Sequence, residues 1–430
     1  MAGKWITRLG LGTVLLLAGT FASRADNDAA VVEKAHEIHD RVIAIDTHVD
    51  IPTSFATPAY DPGKDNPAPV LVDIPKMDKG RLDGVFFIVY VPQTKRDPAG
   101  ESAAISKAFA KFAAIHRMTD IQDTDRIGLA TSAADVRRLN DEGKKIALIG
   151  IENGFVVDHH PELLDIYYEL GARYFGLVHN GHNDLGDSAQ PKESLGDKPN
   201  AEGGEHDGLS PMGEAVVRRC NDLGIMVDIS HSAKSTAMDA IELSRAPVIA
   251  SHSSVDALRH HPRNMDDETM KALAARGGVI QIVAFDDYLH EVPEEKHKAR
   301  GAAAERLGLT SLEAFFDASD ETKAEFQKIS DNLDEKYPRA TVSDLVDHID
   351  YAVKLIGIDH VGIASDFQGG GGIKGWRDAG ETFNVTLELV RRGYTEAEIA
   401  KLWGGNILRV MDEVEAARKM PGDPVPTQAE

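Results

Sequence analysis

Eight short apolar segments recur along the chain, separated by longer stretches with helical spacing. Near-continuous apolar runs of this length are typical of strands that are buried on both faces of a parallel sheet. The segments are VIAID (42–46), VFFIVYV (85–91), IALIGI (146–151), YFGLV (174–178), IMVDIS (225–230), VIAS (248–251), GVIQIVAF (278–285) and HVGIAS (360–365). Parallel strands need helical crossovers, so eight such units predict an α/β chain that closes into a (β/α)8 TIM barrel.

Two intervals interrupt this alternation. Residues 51–84 are rich in Pro, Asp and Gly, which predicts a long loop over one end of the barrel. Residues 286–339 are charged and have helical spacing, so we expect a long helical insertion between strands 7 and 8. The insertion is either a lid or an outer pair of helices with a salt-bridged solvent face. The run Gly369–Gly372 lacks a phosphate-loop motif and is expected to be a mobile loop.

The N-terminal residues have the order of a secretory signal peptide. Lys4 and Arg8 precede an apolar run from Leu9 to Ala22, and small residues flank Arg24 at the expected cleavage site. The apolar run is shorter than the roughly 20 residues that a membrane-spanning helix needs. We therefore expect residues 1–25 to be removed on export; the alternative is an uncleaved membrane anchor.

The rest of the chain is expected to be one barrel domain, residues 26–415, followed by a disordered tail, residues 416–430. The single cysteine, Cys220, excludes an internal disulfide. The sequence offers neither a lipid-accepting cysteine after the apolar run nor an apolar C-terminal tail, so we expect no stable membrane anchor and a bacterial periplasmic location. A formal charge of -23 argues against nucleic acid as a partner.

Side chains that bind metals or transfer protons follow six of the eight predicted strands. In a (β/α)8 barrel the carboxyl ends of the strands share one face, where active sites are built. A solitary histidine after a strand is more often structural, but the joint placement favours a shared site. In strand order, these residues are His48 and Asp50, Glu152, His179, His231, His252 and Asp366.

Three histidines, an aspartate and a glutamate are a donor set suited to zinc or a similar divalent cation. Five ligands exceed the roughly three that a catalytic zinc ion takes from protein, which indicates two cations bridged by the Glu152 carboxylate. We assign to one ion His48, Asp50 and Glu152, and to the other Glu152, His231 and His252. Water held between two such cations loses a proton near neutral pH, so hydrolysis is the expected chemistry.

Stretches across residues 42–410 resemble the membrane (renal) dipeptidases, zinc-dependent peptidases of the amidohydrolase group. They follow the family's order and include IDTHVDIP, GIENG, LVHNGHND, GLSPMGEAVVRRCNDLGIMVDISHS, VIASHSSVDALRHHPRNMDDE, HVGIASDF and GGNILRV. The resemblance implies a barrel that binds two Zn²⁺ ions, cleaves dipeptides and forms a homodimer. It implies as metal ligands the same five residues, His48, Asp50, Glu152, His231 and His252. A bridging glutamate, where many related enzymes have a carbamylated lysine, distinguishes this family.

The resemblance also implies roles in catalysis and substrate binding. His179 matches the histidine that contacts the scissile carbonyl, and Arg263, in HHPRN, matches the arginine that binds the terminal carboxylate. Asp366 matches the proton shuttle, so the expected catalytic residues are Asp366, His179 and Glu152. The alternatives are a structural capping role for Asp366 and a surface ion pair for Arg263.

The chain departs from the mammalian pattern in its insertion and in lacking paired cysteines and a lipid-anchor tail. His182, His260 and His261 lie beside the motifs without matching roles, and we expect them to be structural. The expected function is dipeptide hydrolysis, including dipeptides with a D-residue at the C-terminal position. The alternatives are hydrolysis of other small amides or lactones on the same metal centre, and a periplasmic protein that binds metal or peptide without cleaving it.

Overall fold

Parallel strands form a barrel in the computed structural model, which describes residues 28–157 and 159–418. The described strands are β1 (Ile45–Asp50), β2 (Gly84–Tyr90), β3 (Ile127–Leu129), β4 (Lys145–Glu152), β5 (Ala172–Gly176), β6 (Met226–Asp228), β7 (Ile249–Ser253), β8 (Val279–Val283) and β9 (Val361–Ala364). Eight of them follow the order β1-β2-β4-β5-β6-β7-β8-β9, and β3 pairs with the start of β4.

Two backbone hydrogen bonds close the barrel between its first and last strands. The Asp366 N–H donates to the His48 carbonyl at 3.1 Å, and the Asp50 N–H donates to the Phe367 carbonyl at 3.0 Å. The predicted (β/α)8 architecture is therefore confirmed. Each barrel strand has the parallel partners that the continuous apolar runs indicated.

The structure corrects three details of the sequence prediction. β1 extends to Asp50 and β7 to Ser253, so His48, Asp50 and His252 lie within strands rather than after them. The three-residue strand β3 was missed because it is too short to show a periodic pattern. The segment 51–84, predicted to be a loop, contains a helix.

Helices surround the barrel and connect its strands. Those in the described part of the chain are α1 (28–39), α2 (Ile74–Gly80), α3 (Pro98–Arg117), α4 (Ala133–Asp141), α5 (Leu163–Glu169), α6 (Pro211–Leu223), α7 (Lys234–Leu243), α8 (Asp267–Ala275), α9 (Asp286–Leu289), α10 (Glu294–Leu307), α11 (Leu312–Asp317), α12 (Asp320–Lys336), α13 (Val342–Ile356), α14 (Phe383–Arg391), α15 (Glu396–Ala400) and α16 (Asn406–Ala416). Among them, none combines the length and hydropathy that a bilayer-spanning segment requires.

Local sequence sets the ends of these helices, as α6 illustrates. The Ser210 side chain accepts a hydrogen bond from the Gly213 N–H, and Pro211 occupies the first turn, where its missing N–H costs nothing. The helix ends at Gly224, whose φ of 82° is a left-handed conformation that glycine adopts without steric cost. The chain then enters β6 directly.

The predicted helical insertion is present as helices α9 to α12, between β8 and α13. Phe316 of α11 stacks on Tyr60 with ring centroids 5.1 Å apart, so the insertion packs on the segment that follows β1. Glu313 of α11 also pairs with Lys107 of α3 at 3.3 Å. The insertion thus covers the end of the barrel where β1 terminates.

Both predicted terminal segments fall largely outside the described residues. The signal segment, residues 1–25, lies entirely outside them, as do residues 419–430 of the predicted tail. α16 continues to Ala416, so the last helix includes the first residue of the segment predicted to be disordered.

His39 joins three elements on the outside of the barrel while fully buried. Its Nδ1 lies 2.8 Å from the Thr386 hydroxyl, and its Nε2 lies 3.0 Å from the Gly80 carbonyl. The Thr386 oxygen already accepts from the Trp403 indole N–H at 2.8 Å, which leaves its proton for His39 Nδ1. Burial lowers the pKa of His39 to about 4, so the ring is neutral in the folded chain.

We predict that His39 makes folding sensitive to mild acid. Its pKa is about 4 when folded and 6.5 when unfolded, so the unfolded chain binds more protons between these values. The stabilisation is complete above pH 6.5 and is lost as the pH falls toward 4, with a loss of about 2 kcal/mol between pH 7 and pH 5. Urea unfolding of metal-free protein should show a smaller acid-induced loss for His39→Gln than for wild type.

His36, an exposed histidine on the same helix, provides the control. His36→Gln should retain the wild-type loss of stability between the two pH values. Equal losses in wild type and His39→Gln would contradict this role for His39.

Candidate metal centre and active site

The carboxylate of Glu152 lies at the centre of the predicted site residues. Glu152 ends β4, and its two oxygens face different histidines. Oε1 lies 3.0 Å from His231 Nε2 and 3.3 Å from His252 Nε2. Oε2 lies 3.6 Å from His48 Nε2. One oxygen of this buried carboxylate therefore faces two ring nitrogens, and the other oxygen faces a third.

Asp50 and Asp366 lie on the His48 side of this carboxylate. Ligand atoms of His48, Asp50 and Asp366 all lie within 4.8 Å of one another. His48 Nε2 and Asp50 Oδ1 are buried and have no hydrogen-bond partner among the described residues. Buried polar atoms without partners are costly, and a divalent cation between these atoms would satisfy both. The residues present thus fit a metal centre.

The other nitrogen of each ligand histidine is held by a hydrogen bond outside the cluster. His48 Nδ1 lies 3.0 Å from the Tyr174 hydroxyl, His231 Nδ1 lies 3.0 Å from Asn180 Oδ1, and His252 Nδ1 lies 2.8 Å from Ser251 Oγ. Such contacts fix the orientation and tautomer of histidines that bind metals. All three therefore direct Nε2 toward Glu152.

Two of these contacts show where the histidine protons lie. The Tyr174 hydroxyl donates to the Thr47 carbonyl at 3.2 Å, and the Ser251 hydroxyl donates to Asp228 Oδ2 at 2.6 Å. Since each hydroxyl donates its only proton in that bond, its oxygen accepts a hydrogen bond from the histidine Nδ1–H. In their neutral forms, His48 and His252 therefore have a lone pair on Nε2 that can bind a cation.

A glycine allows Tyr174 to reach His48 from β5. A Cβ at Gly150, on the neighbouring strand β4, would lie 2.1 Å from the Tyr174 ring. Only a residue without a side chain leaves space for the ring across the inside of the barrel. Gly150 and Tyr174 were not singled out from the sequence, because both look like ordinary members of apolar strands.

Asn180 and Ser251 were also missed, although they carry a sequence signal. Each directly neighbours a predicted site histidine, His179 or His252. Polar side chains next to candidate ligands are natural hydrogen-bond partners for a ring nitrogen. A search for polar residues next to the histidine at each strand end would have identified both.

Opposing effects act on the ionisation of the cluster. Burial alone would raise the pKa of Glu152, but the nearby His179 and His48 lower it well below its usual range. Burial alone would lower the pKa of His48, yet Glu152 and the aspartates raise it to about 9. Burial and Glu152 raise the pKa of Asp50. Without a metal, a proton on His48 partly offsets the carboxylate charge that a cation would otherwise balance.

His179 lies beside the cluster on the other side of Glu152. Its Nε2 is 3.8 Å from Glu152 Oε1, and its ring packs 4.1 Å from the His231 ring and 4.7 Å from the Tyr90 ring. Burial lowers the pKa of His179 to about 4, so the ring is neutral near pH 7. A neutral imidazole in this position can donate one hydrogen bond to a ligand in the cavity.

Arg263 is buried close to the same histidines, with only 3% of its surface exposed. One terminal nitrogen donates to the His252 carbonyl at 3.1 Å, and its guanidinium carbon lies 5.4 Å from the centre of the Tyr288 ring. Its Nε has no partner among the described residues. The alternative that Arg263 forms a surface ion pair is wrong.

Asp366 follows β9 in a left-handed conformation, with φ of 57°. The next turn packs against its carboxylate, because a Cβ at Gly369 would lie 2.2 Å from Asp366 Oδ1 and 2.4 Å from Asp50 Oδ2. This close approach explains the glycine run that follows β9. Burial raises the pKa of Asp366 well above its usual range, and Asp50 and Glu152 act in the same direction.

A cavity of about 430 Å³ opens at this end of the barrel. Its lining includes Asp50, Glu152, His179, His231, His252 and Asp366, and the insertion adds Phe315, Phe316 and Phe326. Arg263 lines a neighbouring pocket, with His231, His260 and His261, rather than this cavity. Since the insertion lines the site, its position favours the lid interpretation over an outer pair of helices.

The neighbouring histidines have contacts that suit structural roles. His182 is buried, and its Nε2 lies 2.8 Å from the Lys198 carbonyl. His260 is exposed and pairs with Asp256 at 3.0 Å, while His261 Nε2 lies 3.6 Å from Asp287. None of the three belongs to the groups of candidate metal ligands in the described part of the chain.

Comparisons with known proteins indicate the family. The sequence model of the membrane dipeptidase family (Peptidase family M19) matches residues 32–422. Dipeptidase aclJ of Aspergillus oryzae is 31% identical over 362 residues, which are 83% of this chain and 73% of that protein. Dipeptidase ataJ of Aspergillus terreus is 30% identical over 407 residues, 90% of this chain and 88% of that protein.

Solved structures share the fold. The probable dipeptidase PvdM from Pseudomonas aeruginosa is 34% identical and superposes with a TM-score of 0.78. The alignment covers 90% of this chain and 99% of that one. A metallo peptidase from Rhodobacter sphaeroides, liganded with a phosphinate mimic of the dipeptide L-Ala-D-Ala, is 20% identical with a TM-score of 0.66. It covers 87% of this chain and 99% of its own.

The contact between Tyr174 and His48 predicts an effect on metal affinity. Tyr174→Phe removes the acceptor that holds His48 Nδ1–H, so we expect divalent cations to bind about 10-fold to 100-fold more weakly. Competition titrations with a chromophoric chelator would measure this change.

Tyr167→Phe is the matched control. The Tyr167 hydroxyl is also buried, but it donates to the Val156 carbonyl at 2.9 Å and contacts none of the candidate ligands. This variant should bind metal as wild type does. Unchanged affinity in Tyr174→Phe, or equal losses in both variants, would argue against an orienting role for Tyr174.

Proposed function

Because the chain belongs to the membrane dipeptidase family, Peptidase family M19, we propose that it is a dipeptidase that uses two zinc ions to hydrolyse dipeptides. The observation that carries this proposal is the division of the Glu152 carboxylate between His231 and His252, 3.0 and 3.3 Å from one oxygen, and His48, 3.6 Å from the other. The nitrogen and oxygen donors suit zinc, a cation that accepts both.

Five residues would hold the two ions. The assignment made from the sequence would place His48, Asp50 and Glu152 on one ion and Glu152, His231 and His252 on the other. Among the described residues, the ligand atoms that lie within 4.8 Å of one another form different groups: His48, Glu152 and His252; Glu152, His179 and His231; and His48, Asp50 and Asp366. Two cations held by these residues would lower the pKa of a bound water and polarise a carbonyl oxygen. His48 Nε2 and Asp50 Oδ1 are buried without a hydrogen-bond partner among the described residues, which supports their role as metal ligands.

Arg263 and His179 would position the substrate. The remaining N–H groups of the Arg263 guanidinium can form two parallel hydrogen bonds with the terminal carboxylate of a dipeptide. His179 would donate from its neutral ring to the oxygen of the scissile carbonyl. That hydrogen bond strengthens as the oxygen gains negative charge, which is worth about 3 to 4 kcal/mol at comparable sites.

Asp366 would carry the proton between the two halves of the reaction. Its carboxylate lies 4.0 Å from His48 Nε2 and faces the cavity. Burial raises the pKa of Asp366 well above its usual range, which makes its carboxylate a stronger base toward the proton of a water molecule. We propose that it accepts the proton of the attacking water and delivers it to the leaving amine.

The proposed cellular setting rests on sequence features. The apolar N-terminal run after Lys4 and Arg8 supports a cleaved signal peptide over residues 1–25 and a periplasmic location in a bacterium. The family resemblance supports a homodimer.

A substrate panel tests the proposed reaction. Zinc-loaded protein should convert L,L or L,D dipeptides to free amino acids, detected by chromatography. The same dipeptides with a C-terminal amide should react at least about tenfold more slowly, because the neutral amide cannot form a charge-assisted pair with Arg263. Faster turnover of N-acyl amino acids or lactones would support another hydrolase activity, and dipeptides recovered intact would support a binding protein.

Replacement of Asp366 by Asn tests the proton shuttle. Asp366→Asn keeps the shape of the side chain but removes its acid function, so we expect kcat to fall about 10²-fold to 10⁴-fold with both zinc ions retained. Glu152→Gln is the contrasting variant and should lose metal together with activity. Metal content and kcat should be measured on the same samples. A near-normal kcat in Asp366→Asn would show that the proton takes another route.

A further inference from the structure

The wall of the cavity formed by the insertion carries more positive than negative charge. Three arginines line the cavity here: Arg300 and Arg339 of the insertion, and Arg377 from the segment after β9. Arg339 Nε donates to Asp334 Oδ2 at 2.6 Å, and Arg377 lies 3.7 Å from both Asp334 and Asp331. Both of these arginines therefore have carboxylate partners, and Asp334 also pairs with Lys296 at 3.2 Å.

Arg300 is the cation left without a carboxylate. Within the described residues it forms no ion pair, and its guanidinium carbon lies 5.9 Å from the centre of the Phe326 ring. The other nearby carboxylate, Asp286, is already paired with Lys296 at 2.9 Å. Burial and the neighbouring Arg339 lower the pKa of Arg300, and Asp334 and Asp286 offset this only in part, so an anion in the cavity would stabilise its charge.

A second polar group on the same wall also lacks a partner. Ser330 Oγ of α12 lines the cavity, is 5% exposed, and makes no hydrogen bond to a described residue. The surfaces beside these groups are apolar and include Leu312 and Phe315. An anion that fits here has an apolar stem and ends in a group that accepts hydrogen bonds.

We propose that Arg300 and Ser330 bind the side-chain carboxylate of the substrate, so that the enzyme prefers dipeptides that contain a glutamate residue. This inference rests on the proposed function and names its substrate class. A guanidinium can form two parallel hydrogen bonds with a carboxylate, and the Phe326 ring lies 5.9 Å from that of Arg300. In the proposed binding mode Arg263 binds the terminal carboxylate, so that group does not compete for this subsite.

Pairs of substrates that differ only in charge test the inference. Glutamate and glutamine have the same shape, so kcat/KM is compared for Glu-Ala with Gln-Ala and for Ala-Glu with Ala-Gln. Wild type should prefer the acid by about tenfold or more in at least one pair. Arg300→Met should reduce this ratio to within about threefold of one, and Arg300→Lys should give an intermediate ratio because it keeps the charge and loses the planar fork.

Lys298→Met is the matched control for overall charge. Lys298 lies on the same helix, is exposed, and pairs with Glu294 at 3.5 Å, away from the cavity. This variant should keep the wild-type ratio. The subsite is overturned if wild type shows a glutamate-to-glutamine ratio of kcat/KM below about twofold in both pairs. It is also overturned if Arg300→Met keeps the wild-type ratio. If the subsite is overturned but the glutamine dipeptides are cleaved, the proposed dipeptidase function still holds.

Failure to cleave any of the four dipeptides would overturn the proposed function instead. Calorimetric binding of Ala-Glu and Ala-Gln to the metal-loaded protein then tests the subsite separately. Tighter binding of Ala-Glu by wild type but not by Arg300→Met supports the subsite, and equal binding of both peptides by wild type overturns it.

Discussion

The carboxylate of Glu152, buried between His48 on one side and His231 and His252 on the other, forms the contacts on which the site depends. A buried carboxylate is stable only with charged or hydrogen-bonding partners. The barrel supplies these partners from β1, β7 and the segment after β6, which reach Glu152 because the carboxyl ends of parallel strands share one face. We propose that two zinc ions complete the charge balance that protonation of His48 provides when metal is absent.

Glycines allow the groups around this carboxylate to approach one another. Gly150 leaves room for the Tyr174 ring, whose hydroxyl then orients His48. Gly369 lets the turn after β9 pass beside Asp50 and Asp366. The fold thus connects residues of no obvious chemical interest to the candidate ligands. A side chain at either glycine would disturb the site without removing a ligand.

The sequence predicted the barrel, and it indicated candidate site residues, because both leave local signals. Strands buried on both faces appear as continuous apolar runs, and the reactive residues lie at or near their ends. The sequence did not predict Tyr174 as a partner of His48, since that contact joins two strands across the barrel interior. Nor did it show that Arg300 lines the cavity, because this depends on how α11 and α12 pack over residues such as Tyr60. Local pattern carries no information about such long-range packing.

The central claim is that one carboxylate serves two cations. Anomalous diffraction at the zinc edge, recorded from crystals of zinc-loaded protein, tests it most directly. The account predicts two peaks about 3.5 to 4 Å apart, each next to one oxygen of Glu152. A single peak, or two peaks of which only one touches Glu152, would contradict it.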